Sequence, residues 1–436
     1  MSFRALTVWF DVTSLYSWNR PVTGVTRMEL ECARIFLEIE PSPVQFVHLD
    51  SKTRCFKVCD PTELRERLAY LESLEGHPSG RLRPFLKRLL AMLPDRAQTS
   101  LLIAISAPGR LIEKLQSSFR PKPLAQGSVN VFQNGDCFVT VGFNLVAEQF
   151  NVLAAIRQQV DLRVVSCCHD LIPWVRPDLT LDRITRTFVR YLDELVRVSD
   201  HVLCISDCTA KDMERYLETK PNPPSISVIR LGSRMGLKQG VPDSDAISSI
   251  LGGAFILYVS TIERRKNHEI LLDAYRWLLD EGVSDLPMLV LVGMRGWGAE
   301  RFCQKLDADP DVARYVTLLH HVSDHDLSHL YQQTLFTVYP SLYEGWGLPV
   351  ADSLAYGKFC IASNAASVPE VGANLVRYCD PQNASAWGEA IIRFASDPGA
   401  IADEEEKIRQ GYRPPEWHET GAQIMHAVLA SGKEPR

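Results

Sequence analysis

The chain has 436 residues, which at roughly 150 residues per domain points to two or three domains. It is 46% hydrophobic and 23% charged with a net charge of −6, a globular composition that excludes disorder and carries no electrostatic footprint of nucleic-acid binding. No apolar run reaches the roughly 18 residues of a membrane span, the first residues lack the features of a signal peptide, and the 11 cysteines form neither CxxC pairs nor a disulfide framework, so reduced thiols in a cytoplasmic protein are expected.

Short apolar runs alternate with longer amphipathic stretches. Residues 5–10 read as a strand and 24–40 as a helix, with Val25, Met28, Leu30, Ala33, Ile35 and Phe36 on its apolar side. Strands follow at 162–168, 201–205 and 225–229, with helices at 182–197 and 209–217. Residues 219–224 and 232–253 are rich in Pro, Gly, Ser and Asp, which a buried strand does not accept easily. A domain boundary is expected in the second stretch. The pattern then restarts, with strands at 255–260, 288–292, 316–319, 335–340 and 359–362. Helices alternate with them at 268–279, 302–306, 324–333 and 349–356, and a last helix covers 417–429. Such alternation predicts an α/β chain of βαβ units with parallel sheets.

Residues 81–96 (RLRPFLKRLLAMLPDR) hold five Arg/Lys against one Asp. They read either as a solvated surface helix or as a peripheral contact with anionic lipid on the cytoplasmic face of the inner membrane. Pro84 and Pro94 limit any helix between them to about nine residues, which favours the solvated reading.

The most informative stretch is 335–371 (LFTVYPSLYEGWGLPVADSLAYGKFCIASNAASVPEV). A strand ends at Pro340, a loop carries Glu344, Gly345 and Gly347, Pro349 suits a first helical turn, and Gly357 suits the helix end. That aims a helix N-terminus past the C-terminal edge of a sheet, where open α/β folds bind ligands. Two glycines let backbone N–H groups approach a diphosphate closely. Glu344 would oppose that anion, so it is expected to accept hydrogen bonds from sugar hydroxyls beside it. Asp352 reads as a second diol acceptor, such as for a ribose; the alternative is that it only complements the helix dipole. Arg264, Arg265 and Lys266 (in STIERRKN) stand before a helix, where cations oppose the macrodipole unless an anion binds. Arg264 is expected to face solvent. His169 (in SCCHDLIP) ends a buried strand, either bordering a cleft or as a structural histidine. Gly24 precedes the first long helix, where its loop can approach a phosphate or sugar.

Together these four segments resemble the retaining glycosyltransferases called family 4, of GT-B fold, with EGWGLPVAD and SNAASVPEV as the most specific part. The resemblance implies two Rossmann-like domains facing an interdomain cleft. Residues 1–235 would bind the acceptor, 250–415 would bind the nucleotide sugar, and 416–436 would form a helix crossing back to the first domain. It implies that Glu344 contacts the donor sugar and Asp352 the ribose. Lys266 and Arg265 would neutralise the diphosphate, His169 would sit by the reacting face, and Gly24 would lie in a loop closing over the donor. It also assigns donor binding to Thr261, Val322, Gly345, Trp346, Gly347 and Leu348. Two departures stand out: the second motif acid is Asp352 where the family usually has Glu, and Thr261 stands where many members carry arginine, leaving Arg265 as the replacement.

The phrases STIERRKN, VFQNGDCFVTVG and CCHDLIP are similar to a bacterial branch that builds O-antigen, capsule or exopolysaccharide, often with mannose from GDP-mannose. The implied partners are a nucleotide sugar and a glycan or polyprenyl-linked acceptor, with no nucleic acid; oligomeric state stays open. No cofactor is expected, and no metal, because cations and helix N–H groups would stabilise the leaving diphosphate. The alternatives on the same residues are a UDP-sugar-dependent transferase, a GT-B epimerase, or a catalytically silent nucleotide-sugar-binding module of a polysaccharide assembly complex. A nicotinamide-dependent enzyme is disfavoured because no GxGxxG follows the first strand.

Overall fold

A computed structural model describes residues 6–19, 22, 24–39, 44–74, 131–143, 148–233, 242 and 244–430. The basic segment 81–96 lies outside the described residues. The chain is α/β, with two sheets. The first contains β1 (Val8–Asp11), β2 (Val44–Asp50), β3 (Cys55–Val58), β4 (Cys137–Thr140), β5 (Arg163–Cys168), β6 (His201–Cys204) and β7 (Ser225–Val228), in the order β3-β2-β1-β4-β5-β6-β7. Only the β2–β3 edge pair is antiparallel. The second contains β8 (Phe255–Val259), β9 (Met288–Val292), β10 (Val316–Leu319), β11 (Thr337–Tyr339), β12 (Cys360–Ser363) and β13 (Arg377–Cys379). Its order is β10-β9-β8-β11-β12-β13, all parallel.

The central strands read VWFD, CFVT, FILYV and MLVLV, near-continuous apolar runs, because helices cover both faces of a parallel sheet. Helix Gly24–Glu38 presses Met28, Ala33 and Phe36 onto the first sheet, and Phe36 meets Phe10 edge to face at 5.1 Å. In the second half, helix His268–Asp280 packs on helix Ala384–Ala395. Gly388 permits a close approach there: a Cβ would lie 2.6 Å from the Trp277 ring.

Between the sheets the expected linker is partly structured. Helix Asp245–Leu251 occupies its end, with Ile247 buried against the second sheet. That stretch is therefore not uniformly loop: Ile247, with Ile250 and Leu251 packed beside it, docks a seven-residue helix. The last helix, Trp417–Ala430, returns to the first half and packs on helix Gly24–Glu38. The Thr420 hydroxyl donates to the Arg230 carbonyl (2.8 Å) and accepts from Gly232 N (2.9 Å), while the Gln423 side chain accepts from Arg230 N (2.9 Å). Among the described residues no helix is long and apolar enough to cross a membrane.

Each sheet reverses its strand order once, between β1 and β4 in the first and between β8 and β11 in the second. At such switch points adjacent loops leave in opposite directions and open a crevice beyond the strand ends. The four sequence segments singled out above follow β1, β5, β8 and β11, so all leave C-terminal strand ends at or beside these points. The C-terminal helix holds this arrangement by burial: replacing fully buried Ile424 by Ala should cost about 2–5 kcal/mol, measured as a lower urea midpoint, and an unchanged midpoint would show that the helix does not contribute to the fold.

Candidate active site

The turn after β8 and the loop after β11 meet in one ionic cluster, in which Glu344 is buried and Arg265 and Lys266 are partly buried. Arg264–Lys266 forms a single 3-10 turn, closed by Asn267 at a left-handed φ of 57°. The Tyr258 hydroxyl donates to the Lys266 carbonyl (2.6 Å), and the Asn267 amide donates to the carbonyls of Pro340 (3.1 Å) and Pro381 (2.8 Å). The turn is thereby fixed against the β11 loop. From it, Lys266 Nζ donates to Glu344 Oε1 at 2.6 Å and to the Tyr339 hydroxyl at 3.0 Å. Arg265 donates to Glu344 Oε2 (2.5 Å), the Tyr343 carbonyl (2.9 Å) and Glu263 Oε1 (2.8 Å), and the Ser341 hydroxyl donates to Glu344 Oε1 (2.5 Å).

The electrostatics follow from that geometry. Burial alone would raise the Glu344 pKa, but Arg265 and Lys266 overcome it and hold the carboxyl at about 2. Burial lowers the Lys266 pKa, against the pull of Glu344. Burial also works against the Arg265 charge, but Glu344 and Glu263 more than offset it and raise its pKa. The sequence pattern leaves Glu344 free for hydroxyl donors; in the structure it is engaged by the two cations expected to hold a diphosphate. The macrodipole conflict at the turn is thus answered by Glu344 itself. Arg264 is exposed, as expected.

The first half closes on this cluster. A Cβ on Gly345 would lie 2.2 Å from the His169 carbonyl oxygen and 2.9 Å from Asp170 Cβ, so only glycine permits the approach. The Tyr343 hydroxyl donates to Asp212 Oδ2 at 2.6 Å, on helix Asp207–Leu217. His169 is buried, and its Nε2 stands 2.8 Å from the Val141 carbonyl. A carbonyl only accepts, so Nε2 carries the proton. Burial drops the ring's pKa to about 4 and keeps it neutral. Asp170 is a participant that sequence reasoning missed. Burial raises its pKa, and Arg265 and Lys266 pull it down across the cleft; it stood next to His169 in the motif, but nothing in the pattern showed which way it faces.

The remaining expected residues are more dispersed. Gly347 takes a φ of 138° as the residue before helix Leu348–Ala355, so Leu348 opens that helix. Trp346 is buried, with the Arg230 guanidinium 5.3 Å from its ring centre. Asp352 is half-buried. Burial pushes its pKa up to about 7, Arg27 pulls it down, and Asp324 pushes it up. Arg27 sits in the first turn of helix Gly24–Glu38, so the turn that begins at exposed Gly24 lies across from the Asp352 helix. Thr261 is exposed beside Gly296, and Val322 packs on the apolar cluster of Val292, Leu330 and Tyr331. Among the described residues no group of three or more His, Cys, Asp or Glu side chains is placed to hold a metal ion.

Residues 243–413 match the family model described as glycosyl transferases group 1. Over 196 residues the chain is 29% identical to the serotype-specific mannosyltransferase WbdA of Escherichia coli, covering 42% of this chain and 24% of that protein. Over 243 residues it is 35% identical to the O-antigen chain mannosyltransferase B of Escherichia coli, covering 54% of this chain and 62% of that one. The chain thus spans about a quarter and under two thirds of the length of these relatives. In fold it is similar to sucrose-phosphate synthase from Thermosynechococcus elongatus (TM-score 0.59, 18% identity, 98% of this chain and 100% of that one). It is also similar to Anabaena HepE solved with UDP and glucose (TM-score 0.57, 13% identity, 98% and 100% covered). The two-sheet architecture is the GT-B fold, and residues 243–413 match the glycosyl transferases group 1 model in a chain similar over about half its length to an O-antigen mannosyltransferase.

The state of His169 can be read directly. In a ring-nitrogen NMR titration it should remain neutral, with the proton on Nε2, from pH 8 down to about 5, because its pKa is near 4. Protonation near the ordinary pKa of about 6.5 would show that the ring is solvated rather than buried.

Proposed function

We propose that this chain is a retaining glycosyltransferase of bacterial surface-polysaccharide synthesis. It would move mannose from GDP-mannose to a hydroxyl of a glycan or lipid-linked acceptor. The observation that carries this reading is the Lys266–Glu344–Arg265 cluster at the second sheet's switch point, beside a Gly-Leu-Pro helix start, in a segment that matches glycosyl transferases group 1. The mannose assignment draws on the two relatives, both mannosyltransferases by name.

The barrier to such a reaction is charge separation. The bond from sugar C1 to the diphosphate oxygen breaks, leaving an oxocarbenium-like sugar and a more negative diphosphate. Lys266, Arg265 and the N–H groups at the start of helix Leu348–Ala355 would stabilise the leaving group, with no metal. One preorganised donor of this kind is worth about 3 kcal/mol, or roughly a hundredfold in rate. When the diphosphate takes the cations, Glu344 is released to accept hydroxyl hydrogen bonds from the sugar, and Asp352 would accept those of the ribose. The acceptor oxygen bonds C1 on the face the diphosphate leaves, and its proton passes to the departing phosphate oxygen. This route retains configuration without a carboxylate nucleophile. Neutral His169 would border the sugar, and the closely seated first half would exclude water.

Glu344→Gln and Lys266→Ala should each lower transfer of labelled mannose from GDP-mannose by at least about tenfold, with unchanged circular dichroism. Wild-type rates in either would overturn the assignment. The same assay run with EDTA should keep its activity, and complete loss restored by Mn²⁺ would overturn the metal-free route; faster transfer from a UDP-sugar would replace the donor.

A further inference from the structure

The segment following β12 makes an unusual set of contacts. The Ser367 hydroxyl lies 2.8 Å from the Glu344 carbonyl and 2.7 Å from the Trp346 carbonyl, so it fixes the backbone of the loop that carries the site. Three residues on, Glu370 reaches out of the second half altogether. Its two carboxylate oxygens accept from the free backbone N–H groups of Asp207 and Cys208, each at 2.7 Å, at the start of helix Asp207–Leu217 in the first half. Two free N–H groups and the positive end of the helix dipole both favour a carboxylate there. Glu370 thus caps a helix of the other domain.

Arg230 completes the connection. It follows β7, at the start of the chain's passage from the first half to the second. One guanidinium nitrogen donates to Glu370 Oε2 at 2.9 Å, another pairs with Asp207, and the plane lies over the Trp346 ring. Its backbone N–H and carbonyl are both held by the C-terminal helix. A single side chain therefore touches the first half, the second half and the site loop, from a backbone position that is itself clamped. Only a forked, planar cation makes both ion pairs while stacking on an aromatic ring.

We propose that Arg230 and Glu370 form a positioning pair that seats the Glu344–Gly347 loop against the first half, setting the geometry in which the donor reacts. The proposal rests on the reading that this loop binds the donor. Neither residue touches the substrate; both act through Ser367, Trp346 and helix Asp207–Leu217. The pair is partly exposed, so its strength comes from coupling several groups and not from one buried bond.

The test is a double-mutant cycle in the full chain with Arg230→Gln, Glu370→Gln and the double variant. Each single change should lower kcat/KM for transfer by about tenfold, and the double variant should be no worse than either, because the two act as a unit. The substrate-free protein should show a more open small-angle scattering profile in all three variants, with melting temperatures close to wild type. Losses that multiply in the double variant, or wild-type kcat/KM in both single variants, would overturn the pair. A wild-type chain without transferase activity would overturn the functional reading alone. Scattering still decides the pair in that case: open profiles uphold it, and unchanged profiles refute it.

Discussion

A carboxylate held between two cations, with little access to water, is the constraint around which the rest of this molecule is arranged. Removing Glu344, Lys266 and Arg265 from solvent is costly, and such groups persist only where attraction and hydrogen bonds offset that cost. Here the offset is complete on every side: Ser341 and Tyr339 reach Glu344 and Lys266, and Glu263 takes the other face of Arg265. The cluster is consequently a charge-balanced set that an incoming anion can re-partition. A diphosphate would take over the cations and free the acid, exchanging one satisfied arrangement for another. While the two cations hold it, the depressed pKa of Glu344 keeps it ionised.

The fold delivers these groups through topology. The cations follow β8 and the acid follows β11, strands that are neighbours in the sheet but far apart in sequence. Their loops are joined by hydrogen bonds: the Asn267 amide donates to the Pro340 carbonyl and Leu342 N donates to the Arg265 carbonyl. In the first sheet the loops after β4 and β5 supply the Val141 carbonyl and the His169 ring it holds. Glycine then sets the spacing: at Gly345 no side chain could fit between the two halves. The contacts of Tyr343 and Glu370 with the first half both reach helix Asp207–Leu217, about one turn apart.

Much of this was legible in the sequence, for identifiable reasons. Strands β9 and β10 and helix Asp324–Gln333 are read at their true bounds, because dense apolar runs and a serine cap mark them sharply. Lys266, Arg265 and Glu344 were visible as chemistry that their local surroundings do not explain. Other elements gave little signal. Helix Pro398–Gly411 buries only Ile401 and Ile408, seven residues apart on a charged surface, too sparse to register as an amphipathic period. Strand β4 is four residues long directly after an Asn-Gly turn, and β3 is an antiparallel edge partner that the parallel pattern does not announce. Arg230, Asp170 and the pull of Arg27 on Asp352 depend on interactions across 95 to 325 positions of sequence, which no local period encodes. Asp352 shows the limit plainly: its place in the helix was readable, but the helix starts at Leu348 and puts it past the first turn, and its raised pKa comes from burial that only the packed structure supplies.

The most direct measurement is a crystal structure of the chain with GDP-mannose bound. The account predicts diphosphate density between the two halves, within hydrogen-bond distance of Lys266 Nζ and the Arg265 guanidinium, with the Glu344 carboxylate turned to the sugar hydroxyls. Density remote from that gap, with both Glu344 ion pairs unbroken, would contradict it.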